Sequence, residues 1–189
     1  FVHVSTDYVF DGLDGPYSEK DIVNPINNYG RGKLAAENLL VSSSTSFTVV
    51  RTNVLYGPAL HGRPDFVKWV VSSLRDSKPI KIVDDQINNP TYIVYLAWAL
   101  SKFAFVKKTG IYNIGGNEFL NRYDFTLRIA KFFDLDVNLI SQIKTSDLNQ
   151  PAPRPLKSGL INLKSETEIG YKPTPIETTF VLMKKELNL

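Results

Sequence analysis

The sequence predicts an α/β fold with a mostly parallel sheet, and three observations carry that prediction. Short β-branched and aromatic runs alternate with segments of helical period, as repeated strand and helix units require. Turn residues cluster between them, at Asp11-Gly12, Asp14-Gly15-Pro16 and Asn24-Pro25. The loops are also longer and more numerous than a minimal fold needs, which points to a ligand-binding portion built from insertions and the C-terminal part.

Taken in order, Phe1 to Ser5 reads as a buried strand, followed by a long polar loop. Asn28 to about Ser43 has helical spacing, with Leu34, Ala35, Leu39 and Leu40 able to share a face and Lys33 and Glu37 four apart. Phe47 to Arg51 favours a strand through Thr48, Val49 and Val50. Pro64-Asp65 opens a helix reaching Leu74, with Phe66, Val67, Val70 and Val71 in register. Ile80 to Val83 is strand-like, Tyr92 to Val106 an apolar helix, and Gly110 to Ile114 a strand again. Asn121 is the expected N-cap, with Asp124 three positions on, of a helix carrying Phe125, Ile129, Phe132 and Phe133. Beyond Ile140 the chain reads as looser: Gln150 to Pro155 forms a rigid extended linker, and short helices follow near Leu163 to Ile169 and Ile176 to Leu187.

Composition narrows the classes of function. The 189 residues are 43% apolar and 22% charged, enough for one good core and typical of a compact soluble protein. There is no cysteine, which excludes a disulfide scaffold, a thiolate metal site and a cysteine nucleophile. His3 and His61 are the only histidines, so no metal site is expected. The net charge of +3 is dispersed, with Lys107-Lys108 and Lys184-Lys185 the tightest basic runs, which argues against a nucleic-acid groove. The apolar stretch from Tyr92 to Val106 is broken by Lys102 and is shorter than the roughly 20 residues that span a bilayer. The chain opens with Phe1 inside a strand-like run, so it is expected to begin in mid-strand.

Two constellations carry chemistry. Tyr29 and Lys33 are four residues apart, so on a helix they share a face, and a nearby ammonium stabilises a phenolate and makes the phenol a usable proton donor. Composition alone yields roughly 0.7 such pairs by chance, so the spacing needs context. Ser5-Thr6-Asp7 supplies it: these residues fall where the first strand ends, and ligands of open parallel sheets bind beyond the carboxyl ends of strands. A hydroxyl there can bond a substrate carbonyl, although Thr6 could equally cap the loop. Gly30-Arg31-Gly32-Lys33-Leu34-Ala35 matches a dinucleotide fingerprint in form only, because no strand precedes it and no acidic residue follows about 20 positions on.

The strings Ser5-Thr6-Asp7-Tyr8-Val9-Phe10-Asp11-Gly12, Pro16-Tyr17-Ser18-Glu19, Pro25 and Tyr29 to Glu37 together resemble the extended short-chain dehydrogenase/reductases, and within them the dTDP-4-dehydrorhamnose reductases. The resemblance continues through Arg51 to Gly57, Asp85-Gln86, Pro90-Thr91, Gly110 to Ile114 and Arg154-Pro155. It implies an NAD(P)-binding Rossmann-like parallel sheet, truncated at its N-terminus, with a smaller C-terminal substrate-binding α/β portion. Residues 1–60 would be the second half of the Rossmann-like domain, and 61–189 mainly the substrate-binding portion, with segments at about 80–105 returning to the first sheet. The glycine-rich half would be missing, leaving the chain as given inactive by itself.

The implied reaction is reduction of the C4 ketone of dTDP-4-dehydro-L-rhamnose by NADPH or NADH. In it Tyr29 would donate the proton, Lys33 would hold the nicotinamide ribose, and Thr6 would bond the developing alkoxide. Ser5, Thr52 and Asn53 would lie at the cofactor, Asn53 also at the sugar with Asp7 and Tyr8. Gln86, Thr91 and Arg154 would serve the nucleotide-sugar side, Arg154 at the pyrophosphate; their ordinary roles would be a loop polar group, a helix N-cap and a surface charge. The resemblance further implies a cytoplasmic enzyme that takes a nucleotide sugar, binds no metal, nucleic acid or membrane, and allows a homodimer. Val54 stands where these reductases often carry Trp, and Asn89 replaces a small residue before Pro90. Two alternatives remain: another nucleotide-sugar epimerase or dehydratase, and a non-catalytic regulatory subunit of the methionine adenosyltransferase type.

Overall fold

The structure is a computed structural model that describes residues 1–58 and 64–187; His61 lies outside the described residues. The described elements are β1 (Val2–Thr6), α1 (Asn28–Val41), β2 (Thr48–Thr52), β3 (Leu55–Tyr56), α2 (Phe66–Arg75), β4 (Ile80–Val83), β5 (Ile87–Asn88), β6 (Thr91–Tyr92), α3 (Ile93–Val106), β7 (Gly110–Ile114), β8 (Leu120–Asn121), α4 (Arg122–Phe132), β9 (Ile140–Ile143), α5 (Leu163–Ile169) and α6 (Ile176–Leu187). A 3₁₀ turn, Asp7–Val9, follows β1 directly.

The first sheet has the order β1-β2-β7 and is parallel throughout, with Thr6 opposite Thr52 and Thr52 opposite Ile114. β2 is buried along its whole length, which suits its β-branched Thr48, Val49 and Val50. Successive residues of a strand point to opposite faces. Val50 therefore meets α3 through Leu96, Ala99 and Phe103, together with Tyr112 and Ile114, while Arg51 meets α1 on the other face.

A separate apolar core joins Val67, Val70, Val71 and Leu74 of α2 to Phe125, Ile129 and Ala130 of α4 and to Ile176, Phe180 and Met183 of α6. Tyr56 sits at its centre, its ring 5.4 Å from that of Phe125 and its hydroxyl 2.7 Å from that of Thr179. Under these helices β4 pairs in parallel with β9, from Ile80 opposite Ile140 to Val83 opposite Ile143.

Two expectations are corrected. Ile140 to Ile143 is a strand, hidden in the sequence because Ser141 and Gln142 face solvent and only Ile140 is buried. Of the segment at about 80–105, α3 packs on the first sheet, which β7 joins, whereas β4 pairs with β9. The face of α1 is also different: Leu39 is 73% exposed, and the buried residues are Gly30 and Glu37. Glu37 displaces leucine from the buried face because Arg51 requires a counter-charge there.

That counter-charge pairs α1 with β2. Arg51 Nη2 lies 2.6 Å from Glu37 Oε2 and Arg51 Nε 3.1 Å from Oε1, with both side chains almost wholly buried. Ser5 on β1 donates to the same carboxylate, and the guanidinium lies 5.1 Å from the Phe10 ring centroid. Breaking such a pair from one side leaves an uncompensated buried charge, so Glu37→Gln is expected to destabilise the fold by about 3–5 kcal/mol. Urea unfolding checks this, with an unchanged midpoint as the contrary result.

Candidate functional site

A cleft of about 720 Å³ opens where β1 and β2 end. Its floor is the turn after β1 and the residues after β2, one wall is the start of α1, and the other wall is Arg122 with residues 150–154. It lies at the carboxyl ends of parallel strands, the position that such sheets reserve for ligands.

Thr6 ends β1, and its hydroxyl accepts from Tyr8 N at 3.2 Å and donates to Asp7 Oδ1 at 3.0 Å. The other Asp7 oxygen accepts from Ser158 Oγ at 2.6 Å. Asp7 is 2% exposed, and burial pushes its carboxyl up to about 6 against the opposing pull of the Ser158 and Thr6 hydrogen bonds. Burial likewise raises the Tyr8 phenol, partly offset by Arg154 and Arg122 nearby.

α1 begins at Asn27, whose Oδ1 accepts from Gly30 N at 2.8 Å as an N-cap. A Cβ on Gly30 would stand 2.1 Å from the Tyr8 carbonyl oxygen, so only glycine lets the helix approach the turn this closely. Of the fingerprint's two glycines, Gly30 thus serves the packing of α1 on the turn, whereas a Cβ on Gly32 would meet open space. Tyr29 follows Asn28 on the first turn, 56% exposed, its ring edge-on to Tyr8 at 5.8 Å. One turn later Lys33 Nζ donates to the Val4 carbonyl at 3.0 Å, which fixes the ammonium beside β1. Thr6, Tyr29 and Lys33 thus line one cleft, and Asp7 and Tyr8 line it with them.

The remaining expected residues divide. Ser5 lines the cleft, but its hydroxyl is engaged by Glu37. Thr52 lines it with a buried hydroxyl that has no partner among the described residues. Asn53 lines it as well, although its amide is engaged from behind: Nδ2 donates to Asn89 Oδ1 at 2.8 Å, and Oδ1 accepts from Thr91 Oγ1 at 3.0 Å. Arg154 is exposed on the far wall.

Gln86 and Thr91 are not among the lining residues. Gln86 is buried, donates to Thr145 Oγ1 at 3.0 Å and accepts Arg122 N at its carbonyl at 3.2 Å. Thr91 is fully buried and is not the N-cap of α3, a position that Tyr92 holds. Both stand behind the wall, where they hold Asn53 and Arg122.

Sequence reasoning missed three contributors. Arg122 lines the cleft at the start of α4, and Asn121, recognised as the cap, was the available signal. Asn89, noted as a departure, is the hub of the wall: Nδ2 donates to the Gly116 and Leu160 carbonyls at 3.0 and 2.9 Å, and Oδ1 accepts Leu160 N at 2.9 Å. The segment 150–154 is a cleft wall rather than a bare linker, tied down by Asn27 Nδ2 donating to the Pro153 carbonyl at 2.9 Å. Val54 has a φ of +33°, a strained value for a β-branched residue, of the kind found at ligand clamps.

Similarity to known proteins matches this geometry. The model of the RmlD substrate binding domain covers residues 1–188. The chain belongs to that family. It is 34% identical to the dTDP-4-dehydrorhamnose reductase of Aggregatibacter actinomycetemcomitans over 92% of this chain and 62% of that relative. Among solved structures, a dTDP-4-dehydrorhamnose reductase of Clostridium acetobutylicum superposes on all of this chain and 66% of its own, at TM-score 0.90 and 32% identity. The reductase of Bacillus anthracis in complex with NADP superposes on 98% of this chain and 65% of its own, at TM-score 0.86 and 29% identity. The expected parallel α/β class is therefore correct. The chain spans about three-fifths of the length of the curated relatives it matches. No helix among the described residues is long and apolar enough to cross a membrane, and no group of metal-ligating residues occurs among them.

The Asp7 shift has a consequence for stability. In the folded chain its carboxyl titrates near 6, and in the unfolded chain near 3.8, so the native state binds more protons between these values. The stability tied to protonated Asp7 is fully present below 3.8 and is lost as pH rises through about 6. Asp7→Asn is expected to remove up to about 3 kcal/mol of this fall. Urea titrations of both proteins at acidic and neutral pH measure the difference, and identical pH slopes would contradict it.

Proposed function

We propose that the protein reduces the C4 ketone of dTDP-4-dehydro-L-rhamnose to the alcohol of dTDP-L-rhamnose, with NADPH or NADH as hydride donor. The observation that carries the reading is the convergence of Thr6, Tyr29 and Lys33 on one cleft at the ends of β1 and β2, in a chain of this family.

The residues present suit the nicotinamide-ribose end of such a cofactor. Thr52 offers a buried hydroxyl without a partner among the described residues, and Lys33 an ammonium already fixed at its base by Val4. When bound, the cofactor supplies a hydride to the C4 carbon. Tyr29 gives its phenolic proton to the carbonyl oxygen, so that hydride and proton together make the alcohol. Lys33, one helical turn away, stabilises the phenolate left behind. Thr6, its hydroxyl proton turned from Asp7 Oδ1 to the substrate, donates to the oxygen as negative charge grows on it, an interaction that matters most in the transition state. Asp7 and Tyr8 border the sugar, and Arg154 meets the diphosphate. Residues 1–60 carry the catalytic group and 61–189 most of the substrate contacts. A cytoplasmic location and homodimerisation are proposed on the family resemblance alone.

The test is NADPH oxidation by the full-length protein with dTDP-4-dehydro-L-rhamnose. Tyr29→Phe is expected to lower kcat by about 10²- to 10⁴-fold and Thr6→Val by about 10²- to 10³-fold. Because Tyr29 is more than half exposed, Tyr29→Phe should leave the melting temperature unmoved. Full activity in Tyr29→Phe would overturn the assignment, and nucleotide binding without turnover by the wild type would favour the regulatory alternative.

A further inference from the structure

Asn27 is a buried residue of the cleft wall, and both ends of its side-chain amide are in use. Oδ1 accepts from Gly30 N at 2.8 Å as the N-cap of α1, and Nδ2 donates to the Pro153 carbonyl at 2.9 Å, across 126 positions of sequence. The cap bond decides which way the amide points, because only its oxygen can accept from Gly30 N. The nitrogen is thereby turned to the opposite wall. Capping alone does not require this residue, since Asp and Ser cap a helix about as well as Asn. Ionised Asp has no donor to give, and the Ser hydroxyl is one bond shorter; Asn adds an N–H on a second arm.

The segment that receives this bond has few means of holding itself. Pro151, Pro153 and Pro155 carry no N–H, so half of the six residues from Gln150 to Pro155 have no backbone donor. Residues 151–154 are exposed and lack regular secondary structure. Their flanks are attached on either side, Leu148 N to the Thr145 carbonyl at 3.1 Å and Lys157 N to the Gly12 carbonyl at 2.9 Å. Alternate prolines keep the span between extended and stiff, so a bond at one carbonyl sets the course of the whole segment. We propose that Asn27 is a positioning residue for ligand recognition, its amide latching the strap of residues 150–154 to the helix that carries Tyr29 and Lys33. The latch sets the width of the cleft. One neutral hydrogen bond is weak enough to open for a ligand and reclose over it. The bond to Gly30 that begins α1 does not pass through the strap, so an open latch leaves Tyr29 and Lys33 in place.

This inference rests on the nucleotide-sugar reading above, and two measurements on the full-length protein separate their failures. N27D keeps the cap acceptor, loses the donor and sets a carboxylate against the Pro153 carbonyl. N27S keeps a cap acceptor without the charge. Both are expected to raise KM for dTDP-4-dehydro-L-rhamnose by about twofold to tenfold, with no matching fall in kcat. Damage to the helix start alone would instead lower the melting temperature and kcat together. Spin labels at Ala152 and Asn38, both exposed, in a protein otherwise free of cysteine give the distance between strap and helix without substrate. A narrow distribution is expected with Asn27 and a broad one with N27D. An equally narrow distribution in N27D overturns the latch, as does a fall in kcat with KM unmoved. Failure of both variants to fold makes Asn27 a structural residue only and overturns it too. A wild type without NADPH oxidation overturns the reductase reading, and the distance distributions then judge the latch by themselves.

Discussion

The cleft depends on the buried pair of Glu37 and Arg51. Arg51 belongs to the central strand β2 and Glu37 to α1, while Ser5 of β1 donates to the same carboxylate. One charge pair thus fixes the two strands whose ends form the cleft floor against the helix that carries Tyr29 and Lys33. A hydrophobic contact would tolerate sliding of the helix along the sheet, since apolar burial is non-directional. A two-bonded guanidinium and carboxylate do not, because displacement would strand a charge away from water. α1 has few apolar residues facing the sheet, so this pair and the close approach at Gly30 do the orienting that leucines perform elsewhere in the molecule.

The wall behind the cleft follows the same logic with neutral groups. Asn89 uses its whole amide to join Asn53, Gly116 and Leu160, segments far apart in sequence. Every atom of such a buried amide needs a partner, so the network admits one arrangement of those segments. Asn53 is consequently held in place after β2, directly before the strained Val54. Thr91 fixes both residues, its hydroxyl donating to Asn53 Oδ1 and its N–H to the Val54 carbonyl at 3.0 Å. The strain at Val54 persists because these bonds over-determine its backbone.

What was legible in the sequence had a local cause. β2, α3 and β7 were readable because β-branched runs and an apolar helix state their environment residue by residue, and Asn121 announced the start of α4 through its cap. The catalytic candidates were readable because Thr6, Tyr29 and Lys33 lie close in sequence around one strand and one helix. β9 was not readable, since its burial is decided by β4 some 60 residues earlier and half of its residues face water. That Gln86 and Thr91 stand behind the cleft lining was hidden for the same reason: a polar side chain beside a family motif looks alike whether it lines a cleft or braces the residue that does. Arg122 was overlooked because a helix-initial arginine has no local mark of being unpaired; that property exists only once Asp7, Tyr8 and Arg154 are brought around it.

The two halves of the cleft are therefore stabilised unequally. The side near β1 and α1 is assembled from neighbours in sequence and fixed by a buried ion pair. The opposite side is recruited from afar: Ser158 bonds Asp7 across 151 positions, and Asn27 bonds Pro153 across 126. Residues 151–154 are exposed and carry no regular secondary structure, so their hold on the cleft rests on a few hydrogen bonds. Segments with few buried contacts open at lower free energy than the core. Opening of this wall would move Arg154 while leaving Thr6, Tyr29 and Lys33 in place, because none of the bonds that fix those three passes through it. The diphosphate contact proposed for Arg154 is in this way mechanically separable from the groups proposed to handle the proton. Arg122 stands between the two parts, its backbone bonded to Gln86 at the start of α4 and its side chain lining the cleft with residues 150–154.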